Sequence, residues 1–273
     1  PFFHFFLLQV IWVLGWAMVV LAGLSYLPLR AVVAIGVVIV VGHNLLDGFD
    51  RGNFGQLEPA WNLFHERAMV KLADRRIFVS YPLLPWVGVI ALGYGVGSWY
   101  AKPAPERQRL LRLSGLGMLL GFIGLRALNV YGDPHPWSFQ ARSGFTLLSF
   151  LNCEKYPPSL LFLLMTLGPA LLLLAALEGR LARAPQPLVV FGRVPLFFYV
   201  AHLYLLRLCA APLALMRFGK SAFKPPPGHA GSPEFPLWAA YIALITAVLL
   251  LYPACRWFAR KKAESKSPWL SYL

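Results

Sequence analysis

Seven apolar stretches, each close to the length of a membrane-spanning helix, dominate this sequence. They cover residues 5–27, 29–46, 81–101, 110–131, 158–177, 187–206 and 236–257. About 20 predominantly apolar residues suffice for an α-helix to cross the hydrocarbon core of a bilayer. Each stretch is predicted to be helical, because a backbone in lipid must satisfy its own hydrogen bonds. The expected fold class is all-α, a polytopic transmembrane helix bundle forming a single domain over residues 1–273.

Composition indicates that lipid is the main solvent of this chain. Hydrophobic residues make up 58% of the sequence and charged residues only 13%, whereas about 25% of an ordinary soluble domain is charged. The net charge of +14 comes largely from short loops and helix ends, so anionic lipid explains it better than nucleic acid does. The scattered cysteines and histidines do not predict a metal site.

The distribution of basic residues predicts the orientation. Lysine and arginine are concentrated on one side of the membrane, at residues 30, 102–112, 180–183 and 260–262. Short cytoplasmic loops carry an excess of positive charge, so that side is predicted to be cytoplasmic. We therefore expect an integral protein of a bacterial inner membrane, with its N-terminus outside and its C-terminus in the cytoplasm.

Polar side chains inside a membrane are costly, and each is a functional hypothesis. His202 lies within the 187–206 stretch, where a neutral imidazole could act as a general base or polarise a thioester. The alternative is a buried histidine that bonds to a neighbouring helix. His43 and Asp47 are four residues apart, on one helical face, and the carboxylate could orient the imidazole. The alternative is a polar helix end that meets water.

Other polar and aromatic residues lie near the ends of the predicted spans. Arg126 and Asn129 are near an outer end, where the arginine could bind an anionic or sugar group. Arg193 is near an inner end and could meet a phosphate, although both arginines could instead reach the headgroups. An outer vestibule is predicted from five further residues, which are equally typical of an interfacial belt: Tyr81, Trp86, Lys155, Tyr156 and Ser159.

Two pairs of glycines are spaced for close helix packing. They are Gly93 with Gly97 and Gly117 with Gly121. Small residues four apart let two helices in a membrane approach closely. We expect these faces to be helix contacts.

Several short motifs occur together in a fixed order. They are HNLLD at 43–47, YPLLPW at 81–86, KYPPSL at 155–160, FGR at 191–193 and YVAH at 199–202. In this order and spacing they resemble the bacterial branch of the heparan-alpha-glucosaminide N-acetyltransferase catalytic-domain family, over nearly the whole chain. The resemblance implies a multi-helix membrane acyltransferase, in which cytosolic acetyl-CoA or another acyl-CoA donates its acyl group to an amino sugar across the membrane.

The resemblance also implies that further helices precede this chain. The family's proposed catalytic histidine lies in that earlier segment, and no residue here matches it. The histidine of the YVAH motif does match, so His202 is carried over as a pocket residue.

We therefore predict a membrane acyltransferase whose acceptor is a small molecule or glycan of the cell envelope. The predicted catalytic residues are His202, His43 and Asp47, and Arg193 is predicted to bind acyl-CoA. The predicted acceptor-binding residues are Asn44, Tyr81, Trp86, Arg126, Asn129, Lys155, Tyr156 and Ser159. A transporter or flippase, and a non-catalytic structural subunit, stay as alternatives, and a homo-oligomer is compatible with the sequence.

Overall fold

The computed structural model describes residues 5–49, 51–72, 75–178, 185–219, 237–265 and 270. The chain forms two compact units, Pro1–Gly179 and Arg180–Leu273, each of which is described by itself. The α-helices of the first unit are α1 Val10–Leu24, α2 Leu29–Gly42, α3 Glu58–Phe64, α4 Leu83–Gly97, α5 Ala104–Leu128, α6 Ser143–Leu151 and α7 Leu160–Leu177. Those of the second unit are α8 Gln186–Arg193, α9 Pro195–Phe218 and α10 Leu237–Glu264. The single domain predicted over residues 1–273 stays a prediction.

The predicted membrane bundle is confirmed. Among the described residues, six helical segments are long and apolar enough to cross a bilayer: Leu29–Leu46, Leu83–Ala101, Ala104–Leu128, Leu160–Leu177, Pro195–Pro212 and Trp238–Glu264. The first predicted span contains the shorter apolar helix α1, of 15 residues. The fold is all-α with about seven apolar helices, and the chain is an integral membrane protein.

Two of the predicted spans are not continuous helices. Residues 5–8, predicted as helix, form the strand β1 Phe5–Leu8. The predicted span 187–206 is interrupted at Val194, where α8 ends and α9 begins. Pro195 has no N–H to donate and disfavours helical geometry at the residue before it. Arg193 therefore ends a short helix and does not lie inside a span.

The polar segment between α2 and α4 is folded, although the sequence indicated only a loop. It contains 3₁₀ turns at His43–Leu46 and Arg51–Leu57, the helix α3, and the strands β2 Ala68–Leu72 and β3 Arg75–Val79. In the three-stranded sheet β3 is central, parallel to β1 and antiparallel to β2. Since β1 precedes α1 and β3 precedes α4, the sheet lies at the N-terminal ends of these two helices.

Glycines allow two close helix contacts in the first unit. A Cβ at Gly88 of α4 would lie 2.8 Å from Ile39 of α2, and a Cβ at Gly115 of α5 would lie 2.8 Å from the carbonyl oxygen of Gly168 of α7. The predicted contact faces are wrong. Among the described residues, a Cβ at Gly93, Gly97 or Gly117 has no neighbour within 4 Å, and one at Gly121 has Leu164 at 3.7 Å. Only the assembled bundle shows which side of a glycine-rich helix meets its neighbour.

The second unit is built around one apolar cluster. Val190 of α8 and Val194 pack against Cys255, Phe258 and Ala259 of α10. This packing brings the end of α8 beside the basic end of α10. Lys262 Nζ donates a hydrogen bond to the backbone oxygen of Arg193, at 3.2 Å.

We expect Gly115→Ala to lower the thermal unfolding temperature of the detergent-purified protein. Its Cβ would overlap the backbone of α7, and overpacking of this kind costs about 1–3 kcal/mol. Gly117→Ala is the matched control. It should leave that temperature unchanged or slightly higher, because alanine favours a helix over glycine by up to about 1 kcal/mol. Equal temperatures for the two variants would contradict the α5–α7 contact.

Candidate active site

Polar side chains are concentrated at one end of the first unit. This is the end at which α2 and α5 finish and at which α1, α4 and α7 begin. Ten of the predicted site residues lie in or beside this layer. The four that define its core, from the HNLLD and KYPPSL motifs, are His43, Asn44, Asp47 and Ser159.

Asp47 pairs with His65, a histidine that the sequence did not single out. Asp47 Oδ1 accepts a hydrogen bond from His65 Nε2 at 3.0 Å, and Oδ2 accepts one from Asn44 Nδ2 at 2.7 Å. His65 is 4% exposed. In the neutral imidazole with the donated proton on Nε2, Nδ1 holds the lone pair. Among the described residues Nδ1 has no hydrogen-bond partner, so the pair presents an oriented imidazole with an unused basic nitrogen.

The predicted pairing of His43 with Asp47 is wrong. Nδ1 of His43 faces the backbone oxygens of Ile39 and Val40, at 3.1 and 3.0 Å, and Nε2 faces that of Pro158, at 2.9 Å. The α-helix ends at Gly42 and continues as a 3₁₀ turn. Residues 43 and 47 therefore do not share an α-helical face, and the buried His43 contacts the start of α7 instead.

The Asp47–His65 pair lines a cavity of about 170 Å³. Three acidic side chains border it: Asp47, Glu66 and Glu154. The remaining lining residues are Asn44, Leu46, Phe49, Trp61, Pro134 and Pro157. Carboxylates beside a basic imidazole suit a ligand that carries an amine. In the described part of the chain, no three His, Cys, Asp or Glu side chains are grouped so as to hold a metal ion.

The segment before α7 is fixed to the end of α2. Asn44 Oδ1 accepts a hydrogen bond from the backbone N–H of Leu160 at 2.8 Å, in addition to the His43–Pro158 contact. Ser159 Oγ donates to Asp133 at 2.7 Å and caps α7 by accepting from the N–H of Phe162. Asn44 and Ser159 thus position the cavity wall through the backbone.

Arg126 holds the segment between α5 and α7 together. Its buried guanidinium donates to the backbone oxygens of Phe150, His135, Ser149 and Asn152, over 2.7–3.2 Å. Asn129, which ends α5 in the left-handed region with a φ of 56°, exchanges two hydrogen bonds with the backbone of Trp137. The donors of both side chains are engaged by this segment of the chain.

The aromatic residues predicted for the vestibule form a cluster with two cations. The hydroxyls of Tyr81 and Tyr156 are 3.4 Å apart. Arg67 lies over the Tyr156 ring with its guanidinium carbon 5.3 Å from the ring centroid, and Lys155 Nζ lies 5.1 Å from that centroid. Trp86 contacts the Tyr81 ring, with centroids 5.9 Å apart, but packs into the apolar cluster of Val13 and Leu83.

His202 and Arg193 belong to the second unit. His202 lies in the second turn of α9, half-buried, with Nδ1 at 3.2 Å from the backbone oxygen of Phe198 and its ring stacked on that of Phe198. Arg193 is exposed at the end of α8. Within this unit, His202 therefore makes a contact along its own helix.

The surroundings of the site shift the acidity of two side chains. Burial raises the pKa of Asp47, but the hydrogen bonds from His65 and Asn44 outweigh it and hold the pKa below its ordinary value. The hydroxyl of Tyr81, followed by the ammonium group of Lys155, holds the pKa of Tyr156 below its ordinary value. The Asp47 carboxyl therefore stays charged to lower pH than usual, and the Tyr156 hydroxyl is more acidic than usual.

His65 and Arg67 are the residues that sequence reasoning missed. Both lie in the segment between the 3₁₀ turns and β2, where no helical or strand periodicity relates them to Asp47 or Tyr156. The sequence signal that could have indicated them is the concentration of polar residues between the HNLLD and YPLLPW motifs.

The comparison with known families supports the same assignment. Residues 2–133 match the family model for heparan-alpha-glucosaminide N-acetyltransferase, catalytic. This region, just under half of the chain, is similar to that family and includes the HNLLD and YPLLPW motifs, whereas the KYPPSL, FGR and YVAH motifs lie beyond it. It contains Asp47, His65, Arg67 and Tyr81, and it ends before Lys155. Neither a curated protein nor a solved structure matches the chain.

We expect Asp47 to make stability depend on pH. Its pKa in the folded protein is below the ordinary 3.8, so it contributes stability above that value and loses it as the pH falls through the folded-state pKa. The unfolding temperature should fall between about pH 5 and pH 3, and fall less in Asp47→Asn. Glu106→Gln, which alters a carboxylate that is 50% exposed, should follow the wild type. Parallel curves for Asp47→Asn and wild type would contradict the prediction.

Proposed function

We propose that this protein is a membrane acyltransferase in which the Asp47–His65 pair is the proton-transfer site. The observation that carries the proposal is the basic Nδ1 of His65, buried and without a partner among the described residues, with Asp47 fixing the opposite nitrogen. The family match over residues 2–133 supports the reaction class. The donor is an acyl-CoA and the acceptor a molecule with an amine, such as an amino sugar of the cell envelope.

The proposed step is transfer of an acyl group from a thioester to an amine. The acceptor nitrogen attacks the thioester carbonyl, the C–N bond forms, and the C–S bond breaks. His65 Nδ1 takes the proton that the nitrogen loses, and that proton passes to the departing CoA thiolate. Asp47 stabilises the imidazolium that exists between these transfers. The carboxylates of Glu66 and Glu154 favour binding of the acceptor as an ammonium ion, which releases one proton to water before the neutral nitrogen attacks.

The second unit supplies a candidate donor site. Arg193 is exposed, and the ammonium group of Lys262 is bonded to its backbone oxygen. Two cations at one end of the unit suit the phosphates of CoA. The positive-inside pattern of the sequence supports a cytoplasmic position for this end. His202, on α9, stays a proposed pocket residue of this unit.

We expect His65→Gln to lower the rate of acetyl transfer from acetyl-CoA to glucosamine by about 10²- to 10⁴-fold, the usual contribution of a general base. The assay uses the purified protein in nanodiscs. Asp47→Asn should also lower the rate, because an amide that donates to the imidazole reverses its tautomer. Glu106→Gln is the control, because the side chain of Glu106 is 50% exposed and lies outside the cavity lining.

The pH profile separates a base from a structural residue. A loss of rate in His65→Gln that removes the acidic limb of the profile, at unchanged unfolding temperature, agrees with proton transfer. A variant that transfers as fast as the wild type would contradict the assignment. Saturable flux of the sugar without consumption of acetyl-CoA would favour a transporter.

We expect acetyl-CoA to raise the unfolding temperature more than adenosine does, because only the former offers phosphates to Arg193. Arg193→Gln should weaken this stabilisation by about tenfold in apparent affinity, as for the loss of one charge-assisted hydrogen bond. Arg30→Gln is the matched control, an exposed arginine at the start of α2. Equal stabilisation of Arg193→Gln and wild type would contradict the proposed donor site.

A further inference from the structure

Two cations surround one tyrosine beside the candidate active site. The guanidinium of Arg67 and the ammonium group of Lys155 both lie within 5.3 Å of the centre of the Tyr156 ring. Arg67 and Lys155 are exposed, and Tyr156 is half-buried. Arg67 comes from the segment before β2, and Lys155 and Tyr156 come from the segment before α7. The fold brings these two segments together. Each cation is attracted to the face of the ring, so Tyr156 holds both near one point of the surface.

No carboxylate among the described residues forms an ion pair with either cation. Other basic residues of the first unit do have one: Arg107 pairs with Glu178, and Lys102 with Glu106. Two hydroxyl groups, of Tyr81 and Tyr156, lie 3.4 Å apart at the same place. Two cations without an ion pair, with tyrosine hydroxyls beside them, form a suitable set of ligands for a phosphate or carboxylate group.

In both segments, a residue that lines the acidic cavity is next in sequence to a residue of the cation cluster. Glu66 and Pro157 line the cavity, and they are the immediate neighbours of Arg67 and Tyr156. Carboxylates thus border the cavity, while cations border the adjoining surface. A ligand that extends across both would carry a positive group at one end and an acidic group at the other.

We propose that Arg67 and Lys155, with the hydroxyls of Tyr81 and Tyr156, recognise an acidic group on the acceptor. The acceptor class is then an amine that also carries a phosphate or carboxylate, as in an acidic amino sugar. The amine enters the cavity beside His65, and the acidic group stays at the cation pair. This inference rests on the proposed function for the identity of the ligand as acceptor, although binding itself needs no acyl transfer.

The test compares two probes that differ in one acidic group. Binding of glucosamine 6-phosphate and of glucosamine is measured by saturation-transfer NMR on the full chain in phosphatidylcholine nanodiscs, without acetyl-CoA. We expect the phosphorylated sugar to bind about tenfold more tightly, as for one added charge-assisted contact. Arg67→Gln and Lys155→Gln should each reduce this preference to below about threefold.

The control variants separate this proposal from the proposed reaction. Arg109→Gln removes an exposed arginine at the other end of α5 and should keep the full preference. His65→Gln should lose acetyl transfer and keep the preference, so failure of the reaction and failure of the acidic-group site are distinguishable. Unfolding temperatures within one or two degrees of the wild type, about the effect of a surface substitution, show that the variants are folded.

The outcomes that overturn the proposal are equally definite. Equal binding of the two sugars by the wild type would overturn it, as would a preference that both neutral variants retain. Nanodiscs containing phosphatidylglycerol test a lipid headgroup as the alternative source of the acidic group. If phosphatidylglycerol stabilises the protein through Arg67 and Lys155 while the sugars bind equally, the cations serve the lipid and the acceptor assignment fails.

Discussion

Hydrogen-bonding groups at the edge of a bilayer need partners from the protein, and in the first unit one buried arginine supplies several of them. The guanidinium of Arg126 binds four backbone oxygens of the segment between α5 and α7. Without these bonds the part-buried carbonyl groups would lose a hydrogen-bond partner, at a cost of about 1–3 kcal/mol each. The position of residues 154–160, and with it the wall of the cavity, depends on this arrangement.

The polar side chains of the HNLLD motif also have hydrogen-bond partners in other segments. The motif therefore positions the site, although His65 lies outside it. His43 and Asn44 bond to the backbone of the segment that begins α7, so they fix the walls of the cavity. Asp47 faces the other way and orients His65. A polar helix end therefore joins two loops and holds a histidine in one tautomer, which is the arrangement that acid–base chemistry requires.

Charge is separated over a short distance at this end of the unit. Carboxylates border the cavity, and Arg67 and Lys155 gather around Tyr156 on the adjoining segments. Opposite charges placed this close together favour a ligand that carries an ammonium group and an acidic group. Selectivity for the proposed acceptor can then arise from where these charged side chains lie: the carboxylates suit its amine, and the two cations suit its acidic group.

The sequence by itself determined the solvent, the helices and the family. Apolar stretches of the length of a bilayer leave a backbone no alternative to helix, and the motifs from HNLLD to YPLLPW identify the family over the region that matches. Only the tertiary structure decided which histidine Asp47 orients, which glycines meet a neighbour, and that β1 precedes α1 as a strand. These features depend on contacts between segments far apart in the chain. The partner of Asp47 lies eighteen residues away, beyond the reach of any helical or strand periodicity, because its position is set by how α3 and the sheet pack on the helix ends.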